Sequence, residues 1–338
     1  MVPLVRSEIT IDLGALRANV RRVLEALAGS ELWAVVKADG YGHGAVECAV
    51  AAVEAGATGL CVATLAEALE VRSALPDARV LVMGPTTEIR LAREARLELA
   101  VGETIPEDIP VHVKLDTGMG RWGVSELQAP ARNVVGLMTH LATADSDPEF
   151  ARAQIGRFHS ATDEYAYLTR HVANSAAALR LPEARFDAAR CGIALYGLSP
   201  FGADPADDGL RPVLSWRSSL ALVRRMEPGD STGYGRRYVA EAEQWIGIVP
   251  VGYADGLRRD LSGTEVLVGG KRRRVVGVVS MDSFAVELDR RLPVGADVTI
   301  VGPDVPLEAH ARVAGTINYE LACRIASGPT RASRVVVR

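Results

Sequence analysis

Cysteine is scarce in this chain: Cys48, Cys61, Cys191 and Cys323 are the only four in 338 residues, far apart and with no C-x-x-C spacing. That pattern argues against a disulfide framework and against a zinc site, so no metal is expected. Long apolar runs are missing too. Each is broken by charge or glycine well before the roughly 18 residues that a membrane helix requires. The opening stretch MVPLVRSEITIDL has no basic segment followed by a continuous apolar one. The expectation is a cytoplasmic protein without signal peptide or membrane span. Nor is positive charge in excess. Thirty-eight Lys and Arg against 42 Asp and Glu give a net charge of −4, which leaves no bulk electrostatic footprint for nucleic acid or an anionic membrane.

What remains has the make-up of a globular protein. The chain is 48% hydrophobic and 24% charged with mean hydropathy +0.11, which excludes a disordered or collagen-like chain. At roughly 150 residues per domain, the length allows one compact barrel or two unequal domains. From Glu31 to Arg190, short aliphatic runs alternate with longer Ala-, Leu-, Glu- and Arg-rich stretches, the texture of βα units. Eight strand-like runs can be read, at 32–37, 59–63, 80–83, 97–101, 111–116, 134–140, 168–173 and 186–190, the number that closes a barrel. Helical stretches such as 13–27, 45–55, 65–75 and 149–165 separate or precede them. After Leu210 the Ala-rich stretches give way to short alternating segments with turn signals, and Gly269-Gly270 between two of these reads as a hairpin turn. The expected fold class is therefore α/β, a (β/α)8 TIM-like barrel over residues 1–211 followed by a mainly β domain over 212–338. FGADPADDGLR is the expected linker, and residues 1–8 are expected to pair with the second domain. The basic string Lys271 to Arg274 follows a tight turn and alternates faces, so at this net charge it reads as a strand and not as a nucleic-acid patch.

Barrel chemistry sits at the C-terminal ends of the strands, with phosphate often held after strands seven and eight. The first run ends at Lys37, followed by ADGYGHG. A desolvated lysine there would be a nucleophile or Schiff-base former, and a solvated one would simply extend from the barrel mouth. The fifth run carries Lys114, Asp116 and Arg121, either a cation-lined pocket or a structural Lys–Asp pair. The sixth ends at His140. Asn174 and Ser175 after the seventh run, with Arg190 and the Gly192 and Ile193 amides after the eighth, offer two halves of a phosphate cradle. Position alone thus suggests a phosphorylated ligand and a lysine reaching into the same mouth.

Nine segments in order, VKADGYGHG, KLDTGMGRWG, THLATAD, ANSAAALR, ARCGIALYG, GYG, GYADG, SMD and TINYE, resemble the motifs of the alanine racemases. The resemblance runs from Ile9 to Glu320. It implies an isomerase dependent on pyridoxal 5'-phosphate (PLP) that interconverts L- and D-alanine, supplies D-alanine for peptidoglycan, and works as a homodimer with shared active sites. Lys37 resembles the lysine that holds PLP as a Schiff base. Tyr41, Asn174, Ser175, Gly192, Ile193 and Tyr319 match the phosphate contacts. His140 would lie against the cofactor ring, and Arg190 matches the arginine that meets the pyridine nitrogen. Arg121 is similar to the arginine that binds the phenolic oxygen and the substrate carboxylate, and Lys114 to the lysine often carbamylated to hold it. Tyr234 resembles the second catalytic base, donated by the partner subunit, with Tyr253 and Met281 lining the substrate site and Asp282 in the same motif. One group could exchange the proton between faces only by rotating the substrate, so two bases on opposite faces are the economical solution, and Lys37 is expected to serve the D-enantiomer and Tyr234 the L-enantiomer.

Arginine only donates, so an Arg190 contact implies an unprotonated ring nitrogen, a weaker electron sink, and suppressed transamination and decarboxylation. Two departures from the family stand out. The stretch from Arg121 to His140 is roughly ten residues shorter than the resemblance implies, so the helix there is expected to be truncated. Ser280 stands where many members have Cys. Competing readings are a racemase of broader specificity that also turns over serine, a PLP-dependent decarboxylase of the same architecture, and a non-catalytic PLP carrier. Arg190 speaks against the decarboxylase, and Tyr234 with its β domain against the carrier.

Overall fold

A computed structural model describes residues 6–325, 328 and 330–338. It divides into two compact units, one comprising 15–201 and 206–210, the other the N-terminal segment to Gly14, 202–205 and 211–338.

The first unit is a closed barrel of eight parallel strands: Glu31–Val35, Gly59–Val62, Val80–Val82, Glu98–Val101, Val111–Lys114, Val134–Met138, Thr169–His171 and Ala188–Cys191. Each falls on one of the eight runs read from the sequence, with ends differing by a few residues. Parallel strands are covered on both faces, and Gly59–Val62, Val80–Val82, Val111–Lys114 and Ala188–Cys191 are buried at every position. Helices Leu13–Leu27, Ala45–Glu54, Leu65–Ala74 and Pro148–Thr162 match the helical stretches. Leu65–Ala74 begins with a capping box, in which Thr64 accepts from the Glu67 amide and Glu67 accepts from the Thr64 amide. Helix Pro148–Thr162 starts on Asp147, whose carboxylate accepts from the Phe150 amide at 3.1 Å, with Pro148 at its first position. The connection from Lys114 to Val134 differs from expectation. Among its described residues there is no helix at all, where a shortened one was expected. Pro130 lacks an amide hydrogen, and the Asp116 carboxylate binds the amides of Gly118, Met119 and Gly120 at 2.9, 2.8 and 3.1 Å, folding the start of the segment into a loop.

The barrel interior mixes large rings with glycine. Trp33 pairs in register with Gly59 and Arg190, and His112 with Gly136. A Cβ on Gly59 would lie 2.8 Å from the indole, and one on Gly136 only 2.1 Å from His112 Nδ1. These two glycines are therefore space for rings, in a layer where strands alternate bulky and small residues.

The second unit is built on a nine-stranded sheet in the order Leu222–Met226, Gln244–Val249, Phe284–Leu288, Lys271–Val276, Glu265–Val268, Asp297–Val301, Leu214–Ser219, Glu8–Asp12 and Ser333–Val337. Glu8–Asp12 lies between its last two neighbours, antiparallel to one and parallel to the other; residues 1–5 lie outside the described residues. Gly269 and Gly270, at φ 55° and 78°, form the two-residue turn that puts Val268 opposite Lys271, the left-handed geometry that a type I′ hairpin needs. Three of the four residues of the basic string that follows are paired with acids, Lys271 and Arg273 with Asp289 and Arg272 with Glu265.

Candidate active site

Lys37 opens a segment whose backbone is unusual. Ala38, Asp39, Gly40 and Tyr41 all take left-handed values, φ 51° to 60°, a conformation that costs about 1–2 kcal/mol for each residue with a Cβ. Surrounding bonds hold it there. The Gly40 amide donates to Val36 O at 2.9 Å and the Gly44 amide to Asp39 O at 2.8 Å, while Asp39 Oδ1 accepts from the Ala45 amide at 2.9 Å. The Ala38 amide donates to Glu67 Oε1 at 2.7 Å, so the capping-box glutamate of helix Leu65–Ala74 also fixes the turn that carries Lys37. Backbone strain held by several partners is characteristic of functional sites.

Tyr41 is turned inward, 8% exposed, with its ring packed on Tyr196 at 5.0 Å between centroids. Its hydroxyl lies over Gly192, where a Cβ would fall 2.4 Å from Oη. Ser175 Oγ accepts from the Gly192 amide at 3.1 Å, and Asn174 Oδ1 accepts from the Ala177 amide at 3.0 Å. The barrel thus brings Tyr41, Ser175, Gly192 and buried Ile193 into one polar cradle.

Four cations act together beside it. Burial first, and then Arg190, Lys114, Arg121 and Lys37, push His140 down to about 3, so its imidazole is neutral. Lys114 is lowered to about 8, by desolvation first, then by Arg190 and Arg121, with Asp116 opposing. The Trp122 ring lies 5.6 Å from Lys114 Nζ and 5.4 Å from the Arg121 guanidinium, within cation–π range of both. A cavity of about 580 Å³ opens at the strand ends beside Lys114, Arg121 and Trp122, bordered by Thr86, Leu99 and Thr104. Lys37, Arg190 and the cradle residues Tyr41, Ser175 and Gly192 are not among the residues that line it.

Arg190 is buried. Its Nη1 donates to His171 Nδ1 at 2.7 Å and His171 O at 2.8 Å, and its Nη2 to Thr139 O at 2.7 Å. Behind His171 stand His112, Glu98 and Arg79. The sequence motifs single out none of these four, nor Trp122 or Glu67; only the two-residue periodicity that places His112 on the same face as Lys114 hints at one of them.

Tyr234, Tyr253, Met281 and Tyr319 belong to the β unit. Tyr234 sits on a tight turn between Gly233 and Gly235, both with positive φ, and is 66% exposed. GYADG and SMD are packed main chain to main chain: a Cβ on Gly252 would lie 2.3 Å from Ser280 O and Met281 O. Fully buried Asp255 binds the Gly252 amide, Arg6 and Arg331, and both arginines also reach Asp282. This ion cluster fixes Tyr253 and Met281, both exposed, on adjacent turns.

Residues 11–200 match the family described as alanine racemase, N-terminal domain, and residues 213–335 the family described as alanine racemase, C-terminal domain. The chain is 43% identical to the alanine racemase of Streptomyces coelicolor, covering 98% of this chain and 96% of that one. It is 40% identical to alanine racemase 1 of Bacillus subtilis, covering 94% and 90%. The solved structure of the alanine racemase from Streptomyces coelicolor superposes with a TM-score of 0.90 at 41% identity, covering 99% of both chains. With both halves matched in order and such relatives along nearly the whole length, the chain belongs to the alanine racemase family.

Proposed function

We propose that this chain interconverts L- and D-alanine as a PLP-loaded homodimer and so provides D-alanine for cell-wall synthesis. Alanine racemases are PLP-dependent isomerases. The observation that carries the reading is the cradle at Gly192, where bare main chain, Ser175 and the Tyr41 hydroxyl converge in the same barrel as Lys37, Lys114, Arg121 and Arg190. That donor set fits a phosphate and a lysine-linked pyridine ring. Asn174, Ile193 and Tyr319 are the remaining phosphate contacts in this reading; His140, kept neutral, faces the ring. PLP, when bound, supplies a π system that spreads the negative charge left when an amino acid loses its α-proton.

The chain's own groups set the stereochemistry. Lys37 Nζ takes or returns the proton on the face used by D-alanine, and Tyr234 Oη does so on the opposite face, used by L-alanine. A phenol works as a base near neutrality only where cations stabilise its phenolate. Arg121 holds the substrate carboxylate, and Lys114, as its carbamate, holds Arg121. Tyr253 and Met281 line the substrate side. Tyr234, two-thirds exposed on its turn, is assigned to the partner subunit's site. Arg190 donates to the ring nitrogen and keeps it unprotonated, which disfavours the decarboxylase reading. The test is an absorbance spectrum of the purified protein with PLP, before and after borohydride, followed by D/L analysis after incubation with L-alanine. A borohydride-sensitive band together with D-alanine is the expected result; a band without racemisation refutes it.

A further inference from the structure

The guanidinium of Arg190 can only donate, so the hydrogen bond from Nη1 to His171 Nδ1 at 2.7 Å requires that nitrogen to be bare. A doubly protonated His171 is thereby excluded, and its single proton belongs on Nε2. Nε2 faces His112 Nδ1 at 2.8 Å, so His112 Nδ1 accepts. The proton of His112 then belongs on Nε2, which faces Glu98 Oε2 at 2.8 Å. Glu98 is bound in turn by Arg79 Nε at 3.0 Å to both carboxylate oxygens. The two ends select the same direction, a guanidinium that can only donate at one and a carboxylate that accepts at the other. Both imidazoles are fully buried, and burial lowers both their pKa values, which suits neutral rings. Burial alone would raise Glu98, but its bonds to His112 and Arg79 hold it below the usual carboxylate range. Trp33 packs against both rings, at 5.5 and 4.6 Å between centroids, and Gly136 leaves room for His112.

We infer that the barrel interior carries a one-way hydrogen-bond chain, Arg190 to His171 to His112 to Glu98, anchored by Arg79, in which Glu98 and His112 are positioning residues for Arg190. They hold His171 in the tautomer that accepts from the guanidinium. In the reversed chain an N–H of His171 would face an N–H of Arg190 at hydrogen-bond distance, and the guanidinium would have to move off the position set by His171 O and Thr139 O. The consequence for reaction specificity rests on the proposed contact of Arg190 with the ring nitrogen; the proton positions do not.

The test is long-range 15N NMR of the full chain, loaded with PLP and labelled only in its six histidines, with resonances assigned through single substitutions. His171 and His112 should each show a protonated Nε2 and a bare Nδ1. A protonated Nδ1 on either ring overturns the chain. Glu98→Leu removes the final acceptor, and both rings should become tautomer mixtures, while Glu98→Gln keeps a carbonyl acceptor and should keep the tautomers. With alanine, Glu98→Leu should raise half-transamination relative to racemisation about tenfold, the scale of one buried charged hydrogen bond, and Glu98→Gln should restore the ratio. Should Glu98→Leu not fold, His112→Phe deprives His171 of its acceptor, and an unchanged single tautomer at His171 would overturn the positioning role. Failure of racemisation with the expected wild-type tautomers would count against the proposed function and leave the proton chain standing.

Discussion

Replacing Gly192 with alanine should cost cofactor affinity. Gly192 has φ −120° and ψ −84°, outside the main regions open to a residue with a Cβ, so alanine adds backbone strain there. The new Cβ would also lie 2.4 Å from Tyr41 Oη, 2.7 Å from Cζ and 3.0 Å from Cε2. Optimal contacts are near 3.5 Å, so the phenol must retreat by about 1 Å. Its retreat is confined by the Tyr196 ring behind it and by the left-handed turn that fixes its Cα. A shift of that size removes the hydroxyl from a phosphate held at Gly192. One hydrogen bond to a charged group is worth about 1.5–3 kcal/mol, so the Kd for PLP should rise about 10- to 150-fold. Titrating the cofactor-free protein with PLP by absorbance measures this directly. Tyr41→Phe should lose a comparable amount. The double variant should fall well short of the product of the two, because both delete the same bond. A Kd for Gly192→Ala within about twofold of the parent, or full multiplicativity in the double variant, would refute the cradle.

Other parts of the site make separate predictions. With its pKa near 8, about a tenth of Lys114 is neutral at pH 7, against about one part in 3,000 for an ordinary lysine; 13C-bicarbonate should therefore give a carbamate signal that grows from pH 6 to 8 and is missing in Lys114→Arg, and a silent wild-type spectrum would remove the carbamate from the scheme. Gly136→Ala drives a carbon to 2.1 Å from His112 Nδ1, and overpacking of about 1–3 kcal/mol plus the stranded imidazole should lower the thermal midpoint by several degrees; a shift under about 1 °C would show that the ring does not fill that space. Arg190→Glu should protonate the ring nitrogen and raise pyruvate and pyridoxamine phosphate formation from alanine, and an unchanged product ratio would break the link between Arg190 and specificity. Inactive Lys37→Ala and Tyr234→Phe protomers, mixed and reassembled, should recover activity in heterodimers; no recovery would mean that each chain builds its own site.

The strands, and the candidate site residues at their ends, were legible in the sequence for a local reason. A parallel barrel strand is an unbroken apolar run, and its end is marked by the first polar residue or glycine, so Lys37, Lys114, His140 and Arg190 stand out where VV, VHV, LMT and DAA stop. The interior chain has no such mark. Glu98 opens ELAV with a charge that reads as the solvated start of a weak strand, and His112 and His171 look like single polar interruptions of apolar runs. Their meaning comes from side chains on other strands up to 59 residues apart, His112 and His171 meeting at 2.8 Å across the barrel interior with strand Val134–Met138 between their own. The connection after the fifth strand failed for the converse reason. A resemblance to longer chains implies a helix there, but SELQAPARN places Pro130 where a helix would need an amide, and Asp116 already commits the preceding amides to a loop. Trp122, brought by that loop against Lys114 and Arg121, gives the two cations an aromatic neighbour at the edge of the cavity they line.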